Sequence, residues 1–130
     1  MKNLQKGFTL IELLVVIAII GLLATVVLAA LGPQRKNARV AAAQASMRNM
    51  LTVMQLCAND GIDLNSPAVG TKICASGDGS LTNWGALPTG WTYGGGQDTS
   101  ASDGSFSINA SGETPVTTIV CTQGSCTKTP

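Results

Sequence analysis

The sequence predicts an α+β fold in which one long N-terminal α-helix leads into a small antiparallel β-sheet head, and three observations carry that prediction. Apolar residues fill 20 of the 24 positions from Phe8 to Leu31 but only 22 of the 71 from Asp60 to Pro130. Between these stretches Val40, Ala43, Met47, Met50, Leu51, Met54 and Ala58 recur at the spacing of one helix face. Beyond Asp60 the chain turns to Gly, Ser, Thr, Asn and Asp, interrupted by short alternating apolar runs of the kind that form half-buried strands. The length of 130 residues allows one small domain, and the 45% apolar content is an average over two different solvents.

Taken in order, residues 1–7 read as a short polar leader with Lys2 and Lys6. Residues 8–31 read as a membrane helix: at about 1.5 Å per residue the run spans roughly 36 Å, enough to cross a bilayer core. Gly32-Pro33 then removes a backbone donor and disfavours helical geometry at Gly32, so a kink or a locally loosened helix is expected there. Residues 32–59 read as an amphipathic helix continuing into the head, with Asn37, Gln44, Arg48, Thr52, Gln55 and Asn59 opposite the apolar stripe and a stop near Gly61. Joined, the two stretches make one element of about 75 Å, far longer than a domain of this size can bury. Half of it must find partners outside its own chain.

Residues 60–130 read as a small disulfide-bonded β head. Strands are expected at Gly90–Tyr93, Ser105–Ala110 and Pro115–Cys121, with turns at Gly94-Gly95-Gly96 and Ala101–Gly104. Trp84, Leu87, Trp91, Tyr93, Phe106 and Ile108 supply a small core, and one face of the sheet should pack on Met47, Met50 and Met54.

Formal charge is +1, with the signs segregated along the chain. Lys2, Lys6, Arg35, Lys36, Arg39 and Arg48 precede Asp60, Asp63, Asp78, Asp98, Asp103 and Glu113. An acidic C-terminal half with near-zero net charge indicates no nucleic-acid partner. The absence of histidine excludes Ser-His-Asp, Cys-His and His-zinc sites, so an enzyme is not expected, and neither a catalytic residue nor a cofactor is assigned.

Cys57, Cys74, Cys121 and Cys126 allow three connectivities, and none of the spacings is Cys-x-x-Cys. Structural disulfides are the better reading than a zinc or redox site. Cys57–Cys74, tying the helix end to the following loop, and Cys121–Cys126, closing a turn around Gln123-Gly124-Ser125, are the favoured pairs. Loop closure makes them worth roughly 3 and about 2 kcal/mol. Disulfides point to an oxidising compartment and so put the head outside the cytoplasm. The count of basic residues alone does not set the orientation, because Arg35, Lys36 and Arg39 follow the apolar run just as Lys2 and Lys6 precede it.

The run Lys6-Gly7-Phe8-Thr9-Leu10-Ile11-Glu12 ahead of the apolar segment resembles the prepilin signature of type IV pilins and of the related pseudopilins of secretion and uptake systems. The resemblance covers Met1 to about Leu31 residue by residue, and the long helix with a small head extends it as a pilin-like architecture. It implies a scissile bond at Gly7-Phe8, cut by a membrane prepilin peptidase that also methylates the Phe8 amine. It further implies a single-pass inner-membrane protein that the pilus machinery assembles with copies of itself and other pilins into a surface pilus or an envelope-spanning filament, residues 8–31 then forming the filament core. An unpaired carboxylate in hydrocarbon is costly, and no Lys or Arg lies within a helical turn of Glu12 once the leader is gone. Glu12 therefore needs a partner, which the resemblance identifies as the Phe8 amine of this or a neighbouring subunit. Gly21, Thr25 and Ala29 form a small-residue stripe that would let neighbouring helices approach.

Two other classes compete. One is a conventional secreted protein, since Lys2, the apolar run and Val27-Leu28-Ala29 imitate a cleavable signal; the other is a membrane-anchored binding module. Glu12 and the length of the run argue against conventional secretion. Asp60, Asp63 and Asn65 could offer oxygens to calcium but fit a helix-terminating turn better, so no metal site is assigned. Asn109-Ala110-Ser111 matches a glycosylation sequon, a short pattern that arises often by chance.

Overall fold

The computed structural model describes residues 7–77, 82–95 and 97–130. Residues 1–6, most of the expected leader, lie outside the described residues, as do 78–81 with Asp78, and Gly96 of the expected glycine turn. One helix, α1 (Leu10–Asn59), is followed by β1 (Trp91–Tyr93), β2 (Ser107–Gly112), β3 (Thr117–Thr122) and β4 (Cys126–Thr129). The strands form one antiparallel sheet in the order β1-β2-β3-β4. The architecture is the α+β arrangement read from the sequence.

Internal contacts divide the chain into Met1–Arg35 and Lys36–Pro130. In the first unit every described residue is exposed, and the apolar window of α1 buries none of its residues within the chain. Among the described residues, nothing covers Leu10, Ile11, Leu22 or Leu28, each more than half exposed. The helix is apolar enough to cross a membrane by length and composition.

The second unit holds the core. The buried face of α1 is Val40, Ala43, Met47, Met50, Met54 and Cys57; of the stripe read from the sequence, Leu51 and Ala58 are only partly buried, and Cys57 joins it. These residues share one cluster with Leu64, Ile73, Trp84, Trp91, Phe106, Ile108, Ala110, Ile119 and the other three cysteines. In β2 and β3 the inward residues alternate, Ile108 and Ala110 on one strand and Thr117, Ile119 and Cys121 on the next. The helix ends where Gly61 adopts a left-handed φ of 67°, with the Ile62 amide donating to the Cys57 carbonyl at 2.8 Å, a Schellman closure.

Gly32-Pro33 lies inside α1, and proline costs the helix its bond to the carbonyl of Ala29. Two expectations need correction. First, Pro115 and Val116 are not strand: Glu113 takes a φ of 71°, the Thr114-Pro115 bond is cis, and β3 starts only at Thr117. Proline has no N–H to offer a ladder, which suits it to this turn. Second, β2 starts at Ser107 rather than Ser105, because the Ser105 amide and hydroxyl both donate to Asp103 Oδ1, at 2.8 and 2.7 Å, in a turn.

A polar seam fixes the sheet to the helix. Arg39 Nε and Nη2 donate to Glu113 Oε1 and Oε2 at 2.6 and 2.8 Å, a bidentate pair in which the Glu113 side chain keeps only 6% of its exposure. Trp91 Nε1 donates to the same carboxylate at 3.2 Å. Lys36 Nζ reaches the carbonyls of Thr114 and Pro115 at 3.4 Å, and the Gln44 and Gln55 side-chain amides reach the carbonyls of Cys126 and Gln123.

Candidate functional site

The start of α1 is built by three residues in sequence. Thr9 precedes the first helical residue, and its amide and hydroxyl donate to Glu12 Oε2 at 2.9 and 2.8 Å. The Glu12 amide returns a bond to Thr9 Oγ1 at 3.3 Å. This reciprocal pattern is a capping box: the hydroxyl satisfies a backbone N–H that has no partner in the first turn, and the carboxylate reaches back to the cap. The spacing Thr9-x-x-Glu12 was the signal for it in the sequence. It amends the reading that Glu12 carries no partner, because Thr9 supplies two donors.

Those donors are neutral, and among the described residues Glu12 enters no ion pair. Its acceptor capacity is partly used, and among the described residues no cationic side chain pairs with it. Phe8, Ile11, Val15 and Val16 surround it in an open recess of about 370 Å³, so the carboxylate sits in an apolar frame on the flank of the helix. The negative charge at the first turn is also favourable with respect to the helix dipole.

Gly7 and Phe8 stand immediately before this cap. A Cβ on Gly7 would meet nothing within 4 Å, and Phe8 is 79% exposed. Among the described residues, no packing requires glycine at position 7. Further along, the Thr25 hydroxyl donates to the Leu22 carbonyl at 2.7 Å, which satisfies it without water, and Gly21, Thr25 and Ala29 are exposed.

In the head, Cys57 is bonded to Cys74 and Cys121 to Cys126, and no described cysteine is free. The first bridge spans a sequence separation of 17 and the second joins paired positions of the β3–β4 hairpin. Asp63, one of the residues weighed for calcium, accepts from the Ser102 amide at 3.0 Å, which holds its carboxyl below the usual range. Asn65 turns its amide nitrogen toward the carbonyls of Lys72 and Cys74, so the side chain serves the loop. Asn109 lies within β2 with a buried Oδ1, not on an exposed loop where a sequon would be read. A groove of about 590 Å³ along Thr52, Val53, Gln55, Leu56, Ala58, Asn59, Gly104 and Gln123 holds no ionisable side chain.

The described chain thus opens on Gly-Phe, carries an exposed carboxylate in the first turn of a helix long and apolar enough to cross a membrane, and ends in a small disulfide-bridged sheet. Residues 2–28 match the family model described as the prokaryotic N-terminal methylation motif. The chain is similar to type IV pilins in particular. It is 40% identical over 91 residues to a type IV major fimbrial protein FimA of Dichelobacter nodosus, covering 64% of this chain and 54% of that one. A second FimA from the same organism is 37% identical over 86 residues, covering 63% and 53%. A type IV major pilin protein PilE1 of Neisseria gonorrhoeae is 56% identical over 43 residues, 33% of this chain and 26% of the relative. The chain thus spans about half the length of the FimA relatives it matches. No solved structure matches it significantly.

Proposed function

We propose that this chain is a structural subunit of a type IV pilus or pilus-like filament, made as a membrane-anchored precursor. In this reading residues 1–7 are a leader removed by a prepilin peptidase, Phe8 is the N-methylated first residue, and residues 8–31 anchor the precursor in the inner membrane and later form the filament core. Residues 32–59 carry the helix into the head, and 60–130 are the part presented outside.

The observation that carries the proposal is the unburied apolar surface of α1 together with the single carboxylate at its start. Lipid tails and like helices solvate that surface about equally well, so the subunit can exchange one for the other at little cost. Glu12 breaks the equivalence. In lipid its charge has only Thr9 to lean on; beside the cationic Phe8 amine of a neighbour it becomes half of an ion pair, and the pairing fixes axial register. Gly7, which has no packing role among the described residues, is accounted for by the narrow reading of the cleavage site by the peptidase.

The match to the methylation motif and the printed names of the FimA and PilE1 relatives support a pilus subunit over a secretion pseudopilin. Substituting Glu12→Ala tests the mechanism: the subunit should still be processed and anchored, while sheared surface filaments fall to a small fraction of the parental yield. Abundant filaments built from Glu12→Ala would sink the charge-pair account.

A further inference from the structure

We infer that the β2–β3 turn, Thr114-Pro115-Val116 with Lys36 beside it, is a second membrane contact that seats the head on an anionic lipid surface before assembly; the inference rests on the reading that residues 8–31 span the bilayer. The turn is apolar at its tip: Val116 is 64% exposed, and Thr114 and Pro115 are exposed with it. Inward-facing residues of β3 begin only at Thr117. Among the described residues nothing covers Val116.

Charge makes this tip fit an anionic surface. Glu113 is the acid of the turn, and Arg39 takes both its oxygens while Trp91 Nε1 adds a third bond. With the ammonium of Lys36 held against the Thr114 and Pro115 carbonyls, Glu113, Arg39 and Lys36 together leave the turn one net positive charge, and Arg35 is the neighbour of Lys36 in the chain. The acids Asp60 and Asp63 stand past the other end of α1, and Asp103 is held near Asp63. The basic end of the helix is thus also the end nearest the apolar run.

Chain length places the turn whatever the arrangement of the two units. Five residues lead from Leu31 to Lys36, so the Lys36 backbone stays within about 18 Å of the last apolar residue. The headgroup layer is itself several Å deep, and the Lys36 side chain adds further reach. The β3–β4 turn is held instead at Gln55, about 28 Å further along the helix, and serves as an internal control.

The test uses the full chain in vesicles of phosphatidylcholine, with or without phosphatidylglycerol. A nitrobenzoxadiazole label is attached at Val116→Cys, at Gly124→Cys in the β3–β4 turn, or at Ala18→Cys in the apolar run. Quenching of the Ala18 label by acyl-chain nitroxide lipid reports the membrane span on its own, and its absence would overturn that reading and the inference with it. With the span in place, headgroup nitroxide should quench the Val116 label about fivefold more in the anionic vesicles, an advantage lost on Lys36→Gln or in high salt, with little change at Gly124. Equal quenching in both lipids, or equal quenching at 116 and 124, overturns the inference and leaves the span standing. Shielding of the Val116 label that follows protein density rather than lipid charge also overturns it and assigns the tip to a second copy of the chain.

Discussion

Removing the bridge between Cys57 and Cys74 should be the most damaging single covalent change in the head. The two sulfurs are each 1% exposed, and the bridge closes a loop with a sequence separation of 17, against 5 for Cys121–Cys126. Loop-closure entropy then gives roughly 3 kcal/mol for the first and about 2 kcal/mol for the second. The first bridge also anchors Leu64 and Ile73 against the end of α1, so its loss loosens part of the core, whereas the second lies across a hairpin already held by strand pairing. In a unit of this size 3 kcal/mol corresponds to roughly 10–20 °C in melting temperature. Urea unfolding of Cys57→Ala/Cys74→Ala in detergent, followed by fluorescence, isolates the head, because both tryptophans, Trp84 and Trp91, are buried in it. A cost below that of Cys121→Ala/Cys126→Ala would refute the reasoning, since both the loop lengths and the packing order the pairs the other way.

Other outcomes follow from the same contacts. Met47→Ala removes a fully buried side chain from the helix face and should cost about 2–5 kcal/mol in the same unfolding assay. Gly112→Ala would place a Cβ 2.7 Å from the Trp91 ring and 2.8 Å from the Gly90 carbonyl, so it should displace Trp91, shift its fluorescence and cost about 1–3 kcal/mol. Glu113 is held down to about 2, first by the Arg39 hydrogen bonds and also by Trp91 and the charges of Arg39 and Lys36. Its folded value is depressed, so its stabilisation is present above the ordinary carboxylate range and is lost as pH falls toward 2; acid titration of stability should show that loss, and Glu113→Gln should flatten it. Replacing Gly7 with a bulky residue should leave uncleaved, membrane-bound precursor, visible as a slower band on a gel.

Much of this molecule is legible in the sequence because two of its signals are local. The apolar run is continuous from Leu10 and the stripe through Met47, Met50 and Met54 has helical period; both lie in α1, and the three methionines are buried on its inner face. Strand β4 was missed because it is an edge: only Cys126 faces inward, while Thr127, Lys128 and Thr129 are exposed and show no alternation. The Arg39–Glu113 pair joins residues 74 apart, and a long-range surface pairing leaves no mark on either neighbourhood. At the candidate site, the roles proposed for Gly7, Phe8 and Glu12 rest on the motif, while the capping role of Thr9 was hidden by its ordinariness. A threonine before a helix announces a cap only when the glutamate three residues later is read with it.

The central claim is that this chain becomes a filament subunit by losing its leader between Gly7 and Phe8. Mass spectrometry of the N-terminal peptide from surface-sheared filaments tests it most directly. The account predicts a peptide beginning at Phe8 and carrying one methyl group on its amine. A mature protein beginning at Ala30, or one retaining Met1, would contradict it.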